Sequence, residues 1–204
     1  MTKKLVTAVS SATLPLPQGE FQITVFLEHS TGLEHVVLQA GKFDHAQPVL
    51  VRLHSSCLTG DVFGSLRCDC GNQLEAALGQ IAKQGGLLLY LQQEGRGIGL
   101  GNKVKAYALQ ETGLDTVQAN QHLGFADDLR NYQAAADILN QLEIRQIRLL
   151  TNNPKKLQSL QDEGIEIMSR EPIVIQSHAF NHHYLNTKRD KLGHLLPKEK
   201  NESH

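Results

Sequence analysis

Three thiols drawn into one stretch of chain set the chemistry to look for. Cys57, Cys68 and Cys70 are the only cysteines in 204 residues, and all three fall within His54-Ser-Ser-Cys57-Leu-Thr-Gly-Asp-Val-Phe-Gly-Ser-Leu-Arg67-Cys68-Asp69-Cys70-Gly71. Zinc binds thiolate sulfur tetrahedrally; structural sites usually close with four protein ligands, whereas catalytic sites use three and keep a position for water. Three cysteines therefore point to an open, catalytic zinc, one ion per chain. Two other readings stand beside it. The thiols could be packed as small apolar side chains, or His54, three positions before Cys57, could complete a closed structural site. A cytidine-deaminase site does not fit: the chain lacks a Pro-Cys-x-x-Cys segment and has Ser56 where a His-x-Glu arrangement would put its acid.

A second candidate is Glu94-Gly95-Arg96-Gly97-Ile98-Gly99-Leu100-Gly101, set between an apolar strand and a helix. Backbone amides and a helix N-terminus can receive phosphate there; a tight structural turn is the alternative. The dinucleotide pattern fails, because a start at Gly97 meets Asn102 and a start at Gly99 meets Val104 where glycine is needed. With no Gly-Lys-Ser/Thr triplet, a Walker loop is excluded as well. Thr151-Asn152-Asn153-Pro154-Lys155-Lys156 follows a strand and opens a helix, with proline well placed in the first turn. Ligands bind at such strand ends in open α/β sheets, although a capped junction with exposed lysines would read the same way. Asp127-Asp128-Leu129-Arg130 reads locally as acids at a helix start.

The elements that must position these groups follow from periodicity. Strands are expected over 21–26, 35–38 and 48–54, with the cysteines just after the last of them. Leu74, Ala77, Leu78, Ile81 and Ala82 recur with helical spacing between Gly71 and Gly85, and the apolar run 87–91 reads as a buried strand. Helices over 103–111 and 132–142, a strand over 147–150, a short helix from Pro154 and a strand over 165–168 continue the alternation. The fold class is α/β, or mixed α+β, with N-terminal strands followed by alternating helices and strands. One catalytic domain is expected over 1–197, followed by a charged, disordered tail over 198–204.

Composition narrows the class. A net charge of −1 and a pI near 6.8 argue against general nucleic-acid binding. The 40% hydrophobic content suffices for a core, no run approaches the roughly 18 apolar residues of a membrane span, and the first residues do not form a secretory signal. A cytoplasmic protein with reduced thiols is expected. Arg52, Arg67, Arg96, Arg130, Lys155 and Lys156 nevertheless lie beside the glycine-rich and turn-like segments, where a small polyanion could be gathered.

Taken together, His54-Ser-x-Cys57-Leu-Thr-Gly-Asp, Ser65-Leu-Arg-Cys-Asp-Cys-Gly71, Gln93-Glu-Gly-Arg-Gly-Ile-Gly-Leu100, His122-Leu-Gly-Phe-Ala-Asp-Asp-Leu-Arg130 and Leu150-Thr-Asn-Asn-Pro-Lys-Lys156 resemble GTP cyclohydrolase II, the family that supplies the first committed step of riboflavin biosynthesis. The resemblance runs in order to the Tyr184-Leu-x-Thr-Lys188 and Gly193-His-Leu-Leu196 segments. It implies zinc on Cys57, Cys68 and Cys70. It implies GTP contacts along Arg52, Leu53, His54, Ser55 and Ser56, at Gln73, along Glu94, Gly95 and Arg96, and at Thr116, Thr151 and Lys156. It assigns Asp128 as proton acceptor, Arg130 as nucleophile and Tyr107 to the hydrolysis. The implied reaction opens the guanine imidazole ring, with loss of carbon 8 as formate and release of pyrophosphate, in a homodimer using Mg²⁺ with the triphosphate. A guanidinium stays protonated in proteins and has no free lone pair, so Arg130 reads more simply as a phosphate clamp. This chain departs from the family at two positions, Ser56 where Glu is common and Gln92 where Arg is common. The departures leave two alternatives: a paralogue with altered substrate or product, and a degenerate nucleotide-binding regulatory module with structural zinc.

Overall fold

The computed structural model describes residues 4–44, 46–175, 177 and 181–196; the tail expected to be disordered lies outside them. Seven strands form one sheet: β1 Val6–Leu16, β2 Gly19–Glu28, β3 Glu34–Ala40, β4 Val49–Ser55, β5 Gly86–Leu91, β6 Gln146–Leu150 and β7 Glu166–Glu171, in the order β1-β2-β3-β5-β4-β6-β7. The first three strands are an antiparallel meander that joins β5 antiparallel. From β5 through β4 and β6 to β7 the sheet is parallel. The α/β reading holds, with an antiparallel wing on a parallel block.

The helices are α1 Cys70–Gln84, α2 Gly99–Glu111, α3 Thr116–His122, α4 Gln133–Gln141, α5 Pro154–Asp162 and α6 His182–Asp190. Parallel central strands are covered on both faces and read as near-continuous apolar runs, and β4 and β5 are buried almost throughout. Side chains alternate across the sheet. Val49, Val51, Leu53, Leu87, Leu89 and Leu91 face a core built with Ala135, Ile138, Leu139 and Leu160 of α4 and α5. Leu50 and Leu88 face the opposite core, against Ala77 and Ile81 of α1. Arg52 and His54, in phase with Leu50, are therefore carried onto the α1 face and are themselves buried.

The sequence-derived elements are recovered with shifted ends. α2 begins four residues before the expected 103, and the last strand runs over Glu166–Glu171 rather than 165–168. Asp127 and Asp128 do not start a helix. They lie in an irregular segment well before α4, where Leu129 N donates to the Arg96 carbonyl at 3.1 Å and ties that segment to the glycine-rich loop.

Candidate functional site

The C-terminal ends of β4, β5 and β6 open onto one cavity, the position where open α/β sheets bind ligands. Cys57 follows β4 and precedes a single π-type turn over Leu58–Val62, while Cys68 and Cys70 lie at the start of α1. The three sulfurs lie within 4.8 Å of one another, with Cys57 and Cys68 Sγ 3.8 Å apart. Gly60 forms the floor of this cluster. A β-carbon there would stand 2.8 Å from Cys68 Sγ and 3.1 Å from Cys57 Sγ. Hydrogen bonds from Cys68 and Cys70, outweighing burial and helped by Lys103, hold the Cys57 thiol well below its usual range. Bonding to Cys57 pushes Cys68 up to about 11 and raises Cys70. A thiolate is thus favoured in the cluster before any metal arrives, and three convergent soft donors suit zinc.

His54 is not a fourth ligand. Its Nε2 lies 3.0 Å from Asp61 Oδ1, its ring stacks on Tyr90, and burial lowers its pKa against the opposing pull of Asp61. Asp61 also accepts from Tyr90 Oη at 2.8 Å and from Cys57 N at 2.9 Å, which fixes the backbone at the first cysteine. The closed structural site is therefore set aside: among the described residues the ligand group is the three cysteines.

The glycine-rich loop is clamped to the cysteine turn. Glu94 accepts from Leu58 N at 2.7 Å through Oε2 and from Lys103 Nζ at 2.8 Å through Oε1, while Lys103 Nζ lies 3.1 Å from Cys57 Sγ. Gly95 and Arg96 both adopt φ of 61°, a left-handed conformation that costs a non-glycine residue free energy and clusters at functional sites. Its result is an arginine head folded into the cavity. Both terminal nitrogens of Arg96 are buried and find no hydrogen-bond partner among the described residues.

Other cations surround that head. Arg52 Nη1 donates to the Leu150 carbonyl at 3.0 Å and Nη2 to Gln73 Oε1 at 2.7 Å; burial lowers its pKa to about 10. Lys156 Nζ reaches the Leu53 carbonyl at 2.7 Å, and burial followed by repulsion from Arg52, Arg130 and Lys188 pushes its pKa well down. His194 is held at about 3 by burial, followed by Lys188, Arg130, Lys156 and Arg96, so it faces the cavity uncharged. Arg130 is gripped by Asp128 through Nε–Oδ1 at 2.8 Å and Nη2–Oδ2 at 2.7 Å. Burial opposes both charges, yet the pairing wins: Arg130 is raised and Asp128 lowered. Tyr107 Oη lies 3.3 Å from Thr59 Oγ1 at the edge of the thiol cluster, with its ring 5.0 Å below the Arg67 guanidinium.

The cavity brings together Arg52, His54, Ser55 and Ser56 from β4 and its end, Gln73, the Glu94–Arg96 turn, Tyr107, Thr116 at the start of α3, Arg130, Thr151 and Lys156, along with the cysteines. Leu53 is placed differently from its neighbours. Its side chain is fully buried in the opposite core, because neighbours on a strand face opposite ways, and its carbonyl is the part nearest the site. Asp128 is bonded to Arg130 and does not itself line the cavity. Of the two departures, Ser56 lines the cavity, with its Oγ 3.1 Å from Gln93 N, whereas Gln92 is exposed outside it.

Lys103, Tyr184, Lys188 and His194 also line the cavity, and site reasoning from the sequence missed them. A signal existed. Lys103 is four residues before Tyr107 on α2, and Tyr184 is four before Lys188 on α6, the spacing that puts two side chains on one helical face.

The family model described as GTP cyclohydrolase II matches residues 7–172. GTP cyclohydrolase-2 of Proteus mirabilis (strain HI4320) is 54% identical over 192 residues, covering 94% of this chain and 96% of that one. The proteins of the same name from Buchnera aphidicola and Escherichia coli O9:H4 are also 54% identical, over 92% and 93% of this chain. A solved two-domain 3,4-dihydroxy-2-butanone 4-phosphate synthase of A. baumannii aligns over 86% of this chain and 42% of its own, at 17% identity and a TM-score of 0.48, too remote to add to the assignment. With matches over 93–94% of the chain at 54% identity, the chain belongs to the GTP cyclohydrolase II family of enzymes.

Proposed function

We propose that this enzyme hydrolyses GTP at the cavity described, opening the guanine imidazole ring with release of formate and pyrophosphate to leave the 2,5-diaminopyrimidine ribosyl phosphate that begins riboflavin biosynthesis. The observation that carries the reading is one cavity holding both a three-thiol cluster and cations with unused capacity, Arg96 above all. A triphosphate supplies the anionic oxygens that buried guanidinium groups lack. The thiols supply the donors for one zinc ion.

Cys57, Cys68 and Cys70 would hold the zinc, which supplies Lewis acidity for activating water near neutral pH. Tyr107, kept protonated by burial, stands ready to donate to charge developing at the ring. Arg52, Arg96 and Lys156, aided by Mg²⁺ on the triphosphate, offset charge during phosphate displacement. Arg130 serves as a clamp: both carboxylate oxygens of Asp128 are engaged on it, which supports a fixed, charged fork over an attacking nitrogen. Thr116, Thr151, Gln73 and the segment around Ser55 contact the nucleotide. A cytoplasmic homodimer with one catalytic domain per chain completes the proposal; among the described residues no helix is long and apolar enough to cross a membrane.

A second reading, altered product, is favoured by Ser56, an uncharged residue lining the cavity where the family carries an acid. Incubation with GTP, Zn²⁺ and Mg²⁺, with formate and pyrophosphate assayed separately, tests both. Equal amounts of the two products support the full reaction. Pyrophosphate without formate supports the second reading, and neither product supports a nucleotide-binding module without turnover.

A further inference from the structure

A network at the back of the cavity depends on the C-terminal helix. Lys188 of α6 is buried, with its Nζ 2.6 Å from Asp69 Oδ1 and 4.4 Å from the ring centre of Tyr184. Asp69 is the N-cap residue of α1, between two of the thiols, yet its carboxylate makes no capping bond to that helix. It is turned inward instead. Oδ2 accepts from Gln73 Nε2 at 2.6 Å, and Gln73 Oε1 in turn accepts from Arg52 Nη2 at 2.7 Å. Downstream of α6, His194 N donates to the Lys188 carbonyl and Leu195 N to the Asn152 carbonyl at 2.8 Å, which docks the segment over the loop after β6.

The chemistry of its neighbours fixes the Gln73 amide. A carboxylate can only accept and a guanidinium can only donate, so a flipped amide would set oxygen against oxygen and nitrogen against nitrogen. Gln73, which lines the cavity, therefore offers a ligand one defined N–H and one defined lone pair. The setting rests on where the Asp69 carboxylate is held: Oδ2 accepts from Gln73 while Oδ1 accepts from Lys188 Nζ at 2.6 Å. Remove that cation, and a buried carboxylate is left without its charged partner.

We propose that Lys188 is a positioning residue for base selection: acting through Asp69, it sets the Gln73 amide and so determines which purine edge the cavity accepts. The inference rests on the nucleotide reading above. A site built around fixed donors and acceptors discriminates strongly, because the wrong edge leaves its polar groups unpaired. Lys188, on a helix far along the chain, thereby contributes to selectivity through Asp69 and Gln73.

The test compares Lys188→Met, Lys188→Arg and the charge-neutral double variant Asp69→Asn with Lys188→Met. Each is measured for zinc content, KM and kcat for GTP, and the inhibition constant of ATP against GTP. Lys188→Met should raise KM for GTP about tenfold and lower the ratio of ATP inhibition constant to GTP KM about tenfold, with zinc content kept and kcat within about threefold. Lys188→Arg should recover the ratio to within about threefold. The double variant relieves the buried charge but replaces an acceptor-only carboxylate with an amide that both donates and accepts, so the Gln73 amide can sit either way round and discrimination should stay lost. That variant keeps the inference testable if Lys188→Met does not fold. An unchanged ratio in either Met variant, with zinc retained, would overturn the proposal. Unmodified protein that turns over GTP while the variants discriminate normally overturns this inference alone. Unmodified protein with neither GTP binding nor turnover overturns the nucleotide reading with it.

Discussion

Asp128→Asn separates the two roles that its pair with Arg130 could serve. The side chains are 7% and 12% exposed and meet through two short bonds. Truncating one member of such a pair generally costs about 3–5 kcal/mol. Asparagine keeps an acceptor for Nε–H, worth about 1.5–3 kcal/mol as a bond to a charged group, so the net loss should be about 2 kcal/mol. For a chain of this length that lowers Tm by about 4–8 °C. The pH dependence follows from the depressed Asp128 pKa. A carboxylate whose folded pKa lies below its unfolded value contributes stability that is fully present above the unfolded pKa and lost as pH falls through the folded one. The gap between the two proteins should therefore be full at pH 7 and close as pH falls below about 4. In activity, a loosened clamp should reduce pyrophosphate release about 10- to 100-fold, with formate falling alongside it if displacement commits the substrate. The assay is a thermal melt from pH 3 to 8 paired with separate product measurements at pH 7. An unchanged Tm at pH 7 combined with complete loss of turnover would refute the positional account and make Asp128 a chemical participant.

Gly60→Ala should cost the protein its zinc while leaving the sheet folded, because the added carbon lands against Cys68 and Cys57 sulfur; elemental analysis beside far-UV circular dichroism measures both. Zinc should bind at about one equivalent per chain, and full occupancy in Cys68→Ser would remove that residue from the ligand set. Arg96→Gly should stabilise the nucleotide-free protein by about 1 kcal/mol, since it relieves a left-handed arginine and a buried unpartnered head, yet raise KM for GTP at least tenfold; thermal melts and steady-state kinetics check the opposed signs. Cys57→Ser, if folded, should stop formate release while still forming some pyrophosphate, and parallel loss of both products would show that the thiol cluster also organises the phosphate end.

The site was legible where chemistry is local in the chain. Three cysteines within fourteen positions, a run of glycines and a strand-end Thr-Asn-Asn-Pro segment all announce themselves, and all meet in the cavity. The misses share a cause. β1 is largely exposed and ends through Pro15, so it lacks the alternation that marks a half-buried strand. α3 is seven residues long, and α6, with the sequence His-His-Tyr-Leu-Asn-Thr-Lys-Arg-Asp, has few apolar residues to mark a helical period. Asp127 to Arg130 resembles a helix start because acids favour one; only the tertiary bond from Leu129 N to the Arg96 carbonyl shows why the chain stays irregular there. Leu53 enters the expected contacts only because a contiguous family segment is taken whole, against the alternation of a strand.

On the proposed function, the cavity's charge pattern accounts for how a nearly neutral chain would bind a polyanion. Lys103 is paired with Glu94, Lys188 with Asp69 and Arg130 with Asp128, and each of these carboxylates also bonds a backbone amide or a neighbouring amide side chain. Those three pairs hold the cysteine turn, the start of α1 with Cys70, and the clamp in fixed relation. Arg52, Arg96 and Lys156 are different: their described polar contacts are with carbonyl or amide oxygens, or are lacking for the Arg96 head. Positive charge is thus left over at one place only because negative charge is committed elsewhere to holding the frame. On the proposed function, a triphosphate entering the site would meet cations already desolvated, the electrostatic preorganisation that phosphate displacement needs. Burial lowers the pKa of Arg52, and burial followed by repulsion from neighbouring cations lowers that of Lys156; a phosphate bound beside them should raise both.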